Sequence, residues 1–168
     1  NKRVVATGHY IATFRAPNQL DKNGKLEDWE VGLLQVNTQD AILVVRGYWK
    51  DRLLEPHLQM SNQVTVTGTL QPHQSEDRAP FEQGTLQRLD SSLVTVFAQG
   101  FNLYDGYIAA QSEYRDGEIT RPRISPPFRS AVPGYYWQHI SYVVIWWLMA
   151  GLMFYLPFYN RRISAGAK

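Results

Sequence analysis

The stretch Ile140–Phe158, ISYVVIWWLMAGLMFYLPF, is apolar apart from Ser141 and two tyrosines. This composition determines whether the chain has a membrane-spanning part. As an α-helix it would rise about 28 Å, close to the hydrocarbon thickness of a bilayer, about 30 Å. Residues 130–160 contain no Asp, Glu, Lys or Arg, and aromatic residues flank the apolar run on both sides, as at membrane interfaces. We therefore predict a transmembrane helix over residues 135–160. A buried helix of a soluble domain is disfavoured because the run has no polar face.

The charges around this helix predict its orientation. Arg161 and Arg162 follow the span directly, so the positive-inside rule makes residues 161–168 a cytoplasmic basic tail. Arg129, on the other flank, lies about ten residues before the span and has less weight. We therefore expect residues 1–119 to form an extracytoplasmic domain. Its export would require an upstream signal or a first transmembrane helix ahead of the sequence given.

Length and charge limit the classes of function. The chain has 168 residues, which is enough for about one ordinary domain. Its net charge is +2, yet all 15 acidic residues precede Ile119 and three of the 17 basic residues fall in the last eight positions. The part before the helix therefore has almost no net charge and no continuous cationic face. We expect no nucleic-acid partner.

Motifs of catalysis and metal binding are absent from the sequence. It has no cysteine, which excludes disulfides, thiolate metal sites and a cysteine nucleophile. It has none of the motifs typical of nucleotide-binding loops, serine hydrolases or zinc proteases. His9, His57 and His73 lack the spacing of a metal-binding pair and are expected at the surface. We predict no catalytic residue and no metal site, and interpret the chain as non-enzymatic.

Period-two alternation of apolar residues dominates the first 110 residues and is typical of β-strands. It predicts strands at 3–7, 29–36, 41–49, 64–70 and 104–111. Residues 37–40 are polar and fit a hairpin loop. Residues 90–100 are ambiguous between strand and helix, and we favour a short helix with an Asp or Ser cap that stops at a glycine. The predicted fold is α+β: a mainly antiparallel β-barrel or β-sandwich, followed by one C-terminal transmembrane helix.

Polar and proline-rich segments divide the predicted domain further. Residues 18–28 and 71–84 are expected to be long loops, which are often functional or face a partner. Residues 120–134 contain four prolines and predict a stiff, extended strap between the domain and the helix. Such a strap would hold the domain at a fixed height over the bilayer.

His139 is the strongest candidate for chemistry, because it stands at the outer end of the predicted span. Tyr142 follows one helical turn later and Trp146 one turn after that. A neutral imidazole in this position could ligate a haem iron beside an aromatic surface. The alternative is that His139 anchors the helix among the lipid headgroups, as Trp and Tyr do. The residues by themselves favour the anchor.

Four motifs in order resemble those of the SURF1 family of cytochrome c oxidase biogenesis proteins. Three are strand motifs and the last opens the helix: Val4–Tyr10 (VVATGHY), Ala41–Trp49 (AILVVRGYW), Val64–Leu70 (VTVTGTL) and His139–Trp146 (HISYVVIW). Trp137 and Gln138 stand where the family usually has two asparagines, and Val45 stands where it has another before Arg-Gly. The resemblance is thus to a divergent member.

The resemblance implies a location, partners and a cofactor. It implies a bacterial cytoplasmic membrane or a mitochondrial inner membrane, with the lipid bilayer, cytochrome c oxidase subunits and a larger respiratory supercomplex as partners. It also implies that His139 contacts haem a, with Tyr142 and Trp146 beside it. These are expectations for this chain.

Five residues are predicted to dock partners. The resemblance makes Arg46-Gly47 a structural or docking turn at a strand end, where glycine permits close backbone approach. The alternative for Arg46 is a surface arginine without a partner. On the helix we expect Trp137, Trp147 and Gly151 to contact neighbouring helices, since small and aromatic residues favour such packing.

Three hypotheses remain open at this point. The chain could be an assembly factor that handles haem a transiently through His139, or an accessory subunit bound permanently to an oxidase or a respiratory complex. It could also be an outward-facing enzyme or ligand-binding domain on a simple anchor. The divergence around His139 favours the bound subunit.

Overall fold

Two units, Asn1–Phe128 and Arg129–Lys168, make up the chain in a computed structural model. The structure describes residues 2–52, 62–115, 117–127 and 135–166. The first unit is a sheet domain, and the described part of the second unit is a long helix. His57 lies outside the described residues.

Five strands form the first unit: β1 Lys2–Leu20, β2 Leu26–Gln35, β3 Asp40–Tyr48, β4 Val64–Gln71 and β5 Asn102–Tyr114. The sheet closes on itself in the order β1-β2-β3-β5-β4, with a parallel β3–β5 pair and antiparallel pairs elsewhere. Register shifts interrupt four of these five ladders, so the barrel is irregular. Five strands closed in this order have the topology of the OB-fold. The prediction of a mainly antiparallel β domain is confirmed.

The first strand is much longer than the predicted 3–7, because it serves two partners. Residues 2–8 pair with β4 and residues 9–20 pair with β2. Gly8 lies at the change of partner, where a Cβ would stand 1.9 Å from the carbonyl oxygen of Gln35. Only a residue without a side chain fits there, and this glycine allows the sheet to close.

The predicted loop over residues 18–28 is wrong. β1 runs to Leu20 and β2 begins at Leu26, so only residues 21–25 connect them. The Asp21 carboxylate accepts hydrogen bonds from the backbone N–H groups of Asn23 and Lys25. This Asx turn makes the polar segment a tight hairpin, because its side chains satisfy the backbone.

The strands bury apolar residues on both faces, in two clusters. On β3 alternate residues separate: Ala41, Leu43 and Val45 belong to the first cluster, and Ile42 and Val44 to the second. The long connection from β4 to β5 supplies Leu86, Leu89, Val94 and Ala98 to the first cluster. The connection thus covers one face of the sheet, while the strands themselves enclose the other.

Residues 90–100, in that connection, contain a 3-10 helix at Ser91–Val94 and no α-helix. The Asp90 carboxylate caps it by accepting from the Ser92 N–H, and Gly100 ends the following turns with φ 87°. The predicted Asp cap is confirmed, but the predicted stop at a glycine is wrong, because the helix ends at Val94 and Gly100 ends only the turns that follow. The β-branched and aromatic residues between them keep the helix to one short 3-10 turn.

The second unit contains one described helix, α1 Tyr135–Gly166. Its segment Trp137–Pro157, 21 residues, is long and apolar enough to cross a membrane, and none of its apolar window is buried within the chain. The predicted transmembrane helix therefore has a structural counterpart. The helix continues to Gly166, so most of the predicted tail 161–168 is helical.

Candidate functional site

Arg46 is a buried residue and lies at the centre of a polar network. Its side chain is 5% exposed and projects from the face of β3 that carries the second apolar cluster. The guanidinium donates from Nη1 to Glu30 Oε1 at 3.0 Å and from Nη2 to Glu113 Oε2 at 2.9 Å. Its Nε donates to the other oxygen of Glu113 at 3.1 Å, so the Arg46–Glu113 pair is bidentate.

Tyr10 closes this network from β1. Its hydroxyl donates to Glu113 Oε1 at 3.0 Å, and its ring lies 4.2 Å from the Arg46 guanidinium carbon. This stacking is a cation–π contact in a desolvated place. Gly32 provides the space, since a Cβ there would lie 2.6 Å from the Tyr10 ring.

Burial and charge act in opposite directions on the carboxylate. Desolvation works to raise the pKa of Glu113, but the hydrogen bonds and charge of Arg46 outweigh it and lower that pKa below its ordinary value. Burial also raises the pKa of Tyr10 well above 10.0, with a further contribution from the charge of Glu113. The network therefore holds an ionised carboxylate and a neutral phenol over the physiological pH range.

The predicted strap supplies two further arginines to the same network. Arg121 Nη2 donates to Glu30 Oε2 at 2.6 Å. Arg123 lies 3.4 Å from Glu113 Oε1 and donates to the backbone oxygen of Arg46 at 2.9 Å. Ile124, next in sequence, is 4% exposed and joins the first apolar cluster. Residues 121–125 therefore pack on the barrel domain, since the Ser125 carbonyl oxygen also accepts from the Lys22 N–H at 3.0 Å. Residues 128–134 of the predicted strap lie outside the described residues.

Gly47 allows this docking. A Cβ on Gly47 would lie 2.8 Å from Arg121 Nε and 2.9 Å from the Pro122 carbonyl oxygen. The Arg46-Gly47 pair therefore has a structural role within the chain: Arg46 binds two carboxylates inside, and Gly47 lets the segment after β5 lie against β3. The reading of Arg46 as a free surface arginine is wrong, and its buried guanidinium is out of reach of a docked protein.

The network contains more positive than negative charge. Arg46, Arg121 and Arg123 face Glu30 and Glu113, which leaves one positive charge in excess among the described side chains. Within the described residues, Nε and Nη1 of Arg121 are buried without a hydrogen-bond partner. Such a network is costly to break, because removing one partner leaves a desolvated charge unpaired.

The predicted cofactor residues lie on the helix. Tyr142 and Trp146 are 53% and 73% exposed, and His139 is exposed as well. Spacings of three and four residues place all three on one stripe of α1. The stripe offers a ring nitrogen at one end and aromatic faces along its length, a donor set able to contact a flat aromatic macrocycle.

The predicted docking residues of the helix are also exposed. Trp137 and Trp147 are 70% and 76% exposed. Nothing lies within 4 Å of a Cβ placed on Gly151, so its surface is open for close approach by another helix. Ser141 satisfies its own hydroxyl by donating to the Trp137 carbonyl oxygen at 2.8 Å. The structure therefore shows these residues accessible to a partner.

The remaining described histidines lie on the sheet domain. His9 is exposed, and His73 contacts Asp105 at 2.9 Å with about half of its side chain exposed. Within residues 2–52, 62–115, 117–127 and 135–166, no three His, Cys, Asp or Glu side chains gather as a metal site would require.

Sequence reasoning missed the partners of Arg46. Glu113 is 67 residues from Arg46 along the chain, whereas Glu30 lies 16 residues away on the neighbouring strand of the β2–β3 hairpin. Nothing in the local sequence of either glutamate marks it as buried. One signal was present: Arg46 has the same strand parity as Ile42 and Val44, so the alternation that predicts β3 also places Arg46 inside. A buried arginine requires carboxylates, and acidic residues within the other strands were the candidates.

Comparison with known proteins gives one match. The model of the SURF1 family matches residues 1–151, which include the barrel domain, the His139 stripe and most of the predicted span. Neither a curated protein nor a solved structure matches the chain.

Proposed function

The chain belongs to the SURF1 family, which implies a role related to the assembly of cytochrome c oxidase, and from this premise we propose that it acts as a membrane-bound accessory subunit. In this proposal α1 packs against transmembrane helices of the oxidase, alone or within a larger respiratory supercomplex. The barrel domain lies on the extracytoplasmic side and docks on the same partner. The role needs no catalytic group.

One observation carries the proposal: within the described residues, the apolar surface of the helix is not buried against any other part of the chain. None of its apolar window is buried within the described residues, and two adjacent tryptophans, Trp146 and Trp147, are 73% and 76% exposed. Lipid tails would surround apolar side chains as favourably as another helix would, so hydrophobicity alone does not indicate a protein partner. Gly151 adds close approach, and the tryptophans add large contact area at low entropic cost. This combination favours a helix-packing face over a simple anchor.

The test is retention of the oxidase after purification. The tagged full chain is extracted from membranes in mild detergent, and co-purifying subunits are quantified by mass spectrometry. We expect oxidase subunits near one per chain, which remain after extended washing. Loss on gentle washing would contradict a permanent subunit and favour a transient factor.

A matched pair of helix variants sharpens this test. Gly151→Leu blocks close helix approach, whereas Met149→Leu changes a position almost opposite on the helix and conserves volume. We expect Gly151→Leu to reduce oxidase retention about tenfold, as the loss of about 1.4 kcal/mol of binding free energy would. Met149→Leu should retain the oxidase. Equal retention by both variants would reject Gly151 as a contact.

A second candidate function is transient handling of haem a as cargo, and the His139 stripe favours it. The imidazole would bind the iron while Tyr142 and Trp146 contact the porphyrin. The visible spectrum of the purified chain tests this candidate. We expect His139→Ala to abolish any haem signal and His73→Ala, an exposed histidine on the barrel, to preserve it. A haem signal that survives His139→Ala would reject this role for His139.

A further inference from the structure

A cavity of about 390 Å³ lies at the end of the barrel away from Arg46, and its lining contains no residue of the Arg46 network or of α1. It is formed by the start of β1, the end of β4, the β2–β3 hairpin and the start of β5. Its lining is mostly aliphatic and contains one charged side chain: Val4, Val5, Ala6, Thr7, Val36, Ile42, Leu70, Tyr104, Asp105 and Ile108. Pockets that take small molecules span about 300–1,000 Å³.

The cavity has a well-packed floor and an open mouth. Ile42 and Ile108 form part of the second apolar cluster, and both are nearly fully buried. Val5 and Tyr104, in contrast, are 66% and 49% exposed. A ligand would therefore contact the barrel core at one end and leave its other end in solvent. Covering these side chains would be favourable by the hydrophobic effect.

The polar groups of the cavity limit the ligand's head. Thr7 already shares a hydrogen bond with Thr65 at 3.0 Å, so its hydroxyl is largely satisfied. The Asp105 carboxylate is 86% exposed and contacts His73 Nδ1 at 2.9 Å. A carboxylate in the lining repels an anionic head and favours a neutral or cationic one.

We propose that this cavity binds a hydrocarbon chain of a membrane lipid whose head carries no net negative charge, such as phosphatidylcholine. The walls are aliphatic, as a hydrocarbon chain requires. The membrane in which the polypeptide is anchored would supply this lipid. Because α1 is long enough to span a bilayer, the barrel domain is tethered where lipid is the most abundant apolar ligand. The proposal depends on membrane attachment and is independent of the oxidase partner.

Photocrosslinking of the full chain in vesicles tests the proposal. The chain is reconstituted in phosphatidylcholine with a small fraction that carries a diazirine in one acyl chain, and labelled peptides are mapped by mass spectrometry. We expect labelling at residues 4–7 and 70 in addition to the membrane helix. Labelling confined to residues 137–157 would overturn the proposal, and the helix serves as the internal control for dose.

Two tryptophan substitutions of exposed valines form a matched pair. Val5→Trp fills the mouth of the cavity, whereas Val96→Trp enlarges a valine of similar exposure, 70%, that does not line it. We expect Val5→Trp to lower barrel labelling about tenfold relative to helix labelling, and Val96→Trp to leave the ratio unchanged. Val36→Trp repeats the test from the opposite wall, with thermal unfolding as the check of folding. Barrel labelling that survives both cavity variants would overturn the site.

Other probes test the charge of the lipid head group and whether the bound hydrocarbon chain belongs to a phospholipid or to a free fatty acid. Diazirine phosphatidylglycerol should label the barrel weakly in the native chain and more strongly in Asp105→Asn, since the repelling charge is gone. The change Glu82→Gln, at an exposed carboxylate outside the lining, should have no effect. Barrel labelling by diazirine palmitate and not by phosphatidylcholine would overturn a bilayer lipid as the ligand.

Discussion

The barrel domain and the helix satisfy their side chains in opposite ways. The barrel buries charged groups and pairs them with side chains of other strands, as Arg46 on β3 with Glu30 on β2 and Glu113 on β5 shows. The helix exposes large apolar groups and supplies them with nothing from its own unit, as Trp146 and Trp147 show. Within the described residues the barrel pairs its buried charges internally, whereas the apolar surface of the helix is left exposed.

Substitutions in the two units should therefore have different effects. A change in the buried network should act on folding of the barrel, because its partners are all internal. A change on α1 should act on association and leave barrel stability alone. Hydrogen exchange of the full chain in detergent separates the two, since peptides from β3, β5 and α1 report on each region independently.

The largest expected effect is that of Glu113→Gln. The substitution removes the charge that compensates Arg46 and Arg123, so a guanidinium remains buried with too few partners. We expect the free energy of unfolding of the barrel to fall by about 3–5 kcal/mol, with faster exchange in β3 and β5 and unchanged exchange in α1. Asp77→Asn, at an exposed ion pair with Arg88, is the control. Equal effects of both substitutions would contradict the proposed importance of the network.

Acid should reproduce part of this loss in the native chain. The folded pKa of Glu113 lies below its ordinary value of 4.5, so the unfolded chain takes up the proton first as the pH falls. The contribution of Glu113 is thus fully present above about pH 4.5 and is lost as the pH falls through its folded pKa. Unfolding midpoints between pH 6 and pH 3 measure this. Glu113→Gln should flatten the slope in part, because Asp21 and Asp90 also have lowered pKa values.

Gly47→Ala should have an intermediate effect. The added methyl group would stand 2.8 Å from Arg121 Nε, so the segment that carries the strap arginines must shift. We expect a cost of about 1–3 kcal/mol in barrel stability and faster exchange at residues 118–127. Gly151→Ala is the matched control on the helix, where a Cβ has nothing within 4 Å. A harmless Gly47→Ala would show that Arg121 docks elsewhere.

Trp146→Ala should have the smallest effect on the barrel. Its side chain is 73% exposed and contributes to the helix surface only. We expect barrel stability to remain within about 0.5 kcal/mol of the native chain. Retention of the oxidase is the readout that should change. Destabilisation of the barrel by this substitution would contradict the claim that changes on α1 leave barrel stability unaffected.

The sequence predicted elements well where the signal is local. Alternation located the cores of β2, β3, β4 and β5, and the apolar run located α1, because each pattern repeats within one element. The second half of β1 was missed, because two register shifts against β2, at Tyr10/Ala12 and at Ala16/Gln19, interrupt its alternation. The parallel β3–β5 pair joins residues some 60 positions apart and has no local signal.

The candidate site shows the same division. His139, Tyr142 and Trp146 could be placed on one stripe from helical spacing alone. The β2–β3 hairpin brings Glu30 to Arg46, but Glu113 on β5 and Arg123 after β5 reach it only through the long-range β3–β5 pairing. The role of Gly47 was anticipated as close backbone approach, yet the approaching segment, at Arg121, was unknown without the structure.

The closed sheet also determines when this domain is able to fold. The first half of β1 pairs only with β4, and the Tyr10 hydroxyl donates to Glu113, which lies 103 residues later in the chain. Contacts of such long range are slow to form, because the closing of a long loop costs entropy before any contact repays it. Arg121 and Arg123 emerge last, so the buried carboxylates gain their full set of counter-charges only at the end of synthesis of the domain. We therefore expect a chain that ends before residue 121 to bury Glu30 and Glu113 less readily, because both arginines that complete their ion pairs would be missing.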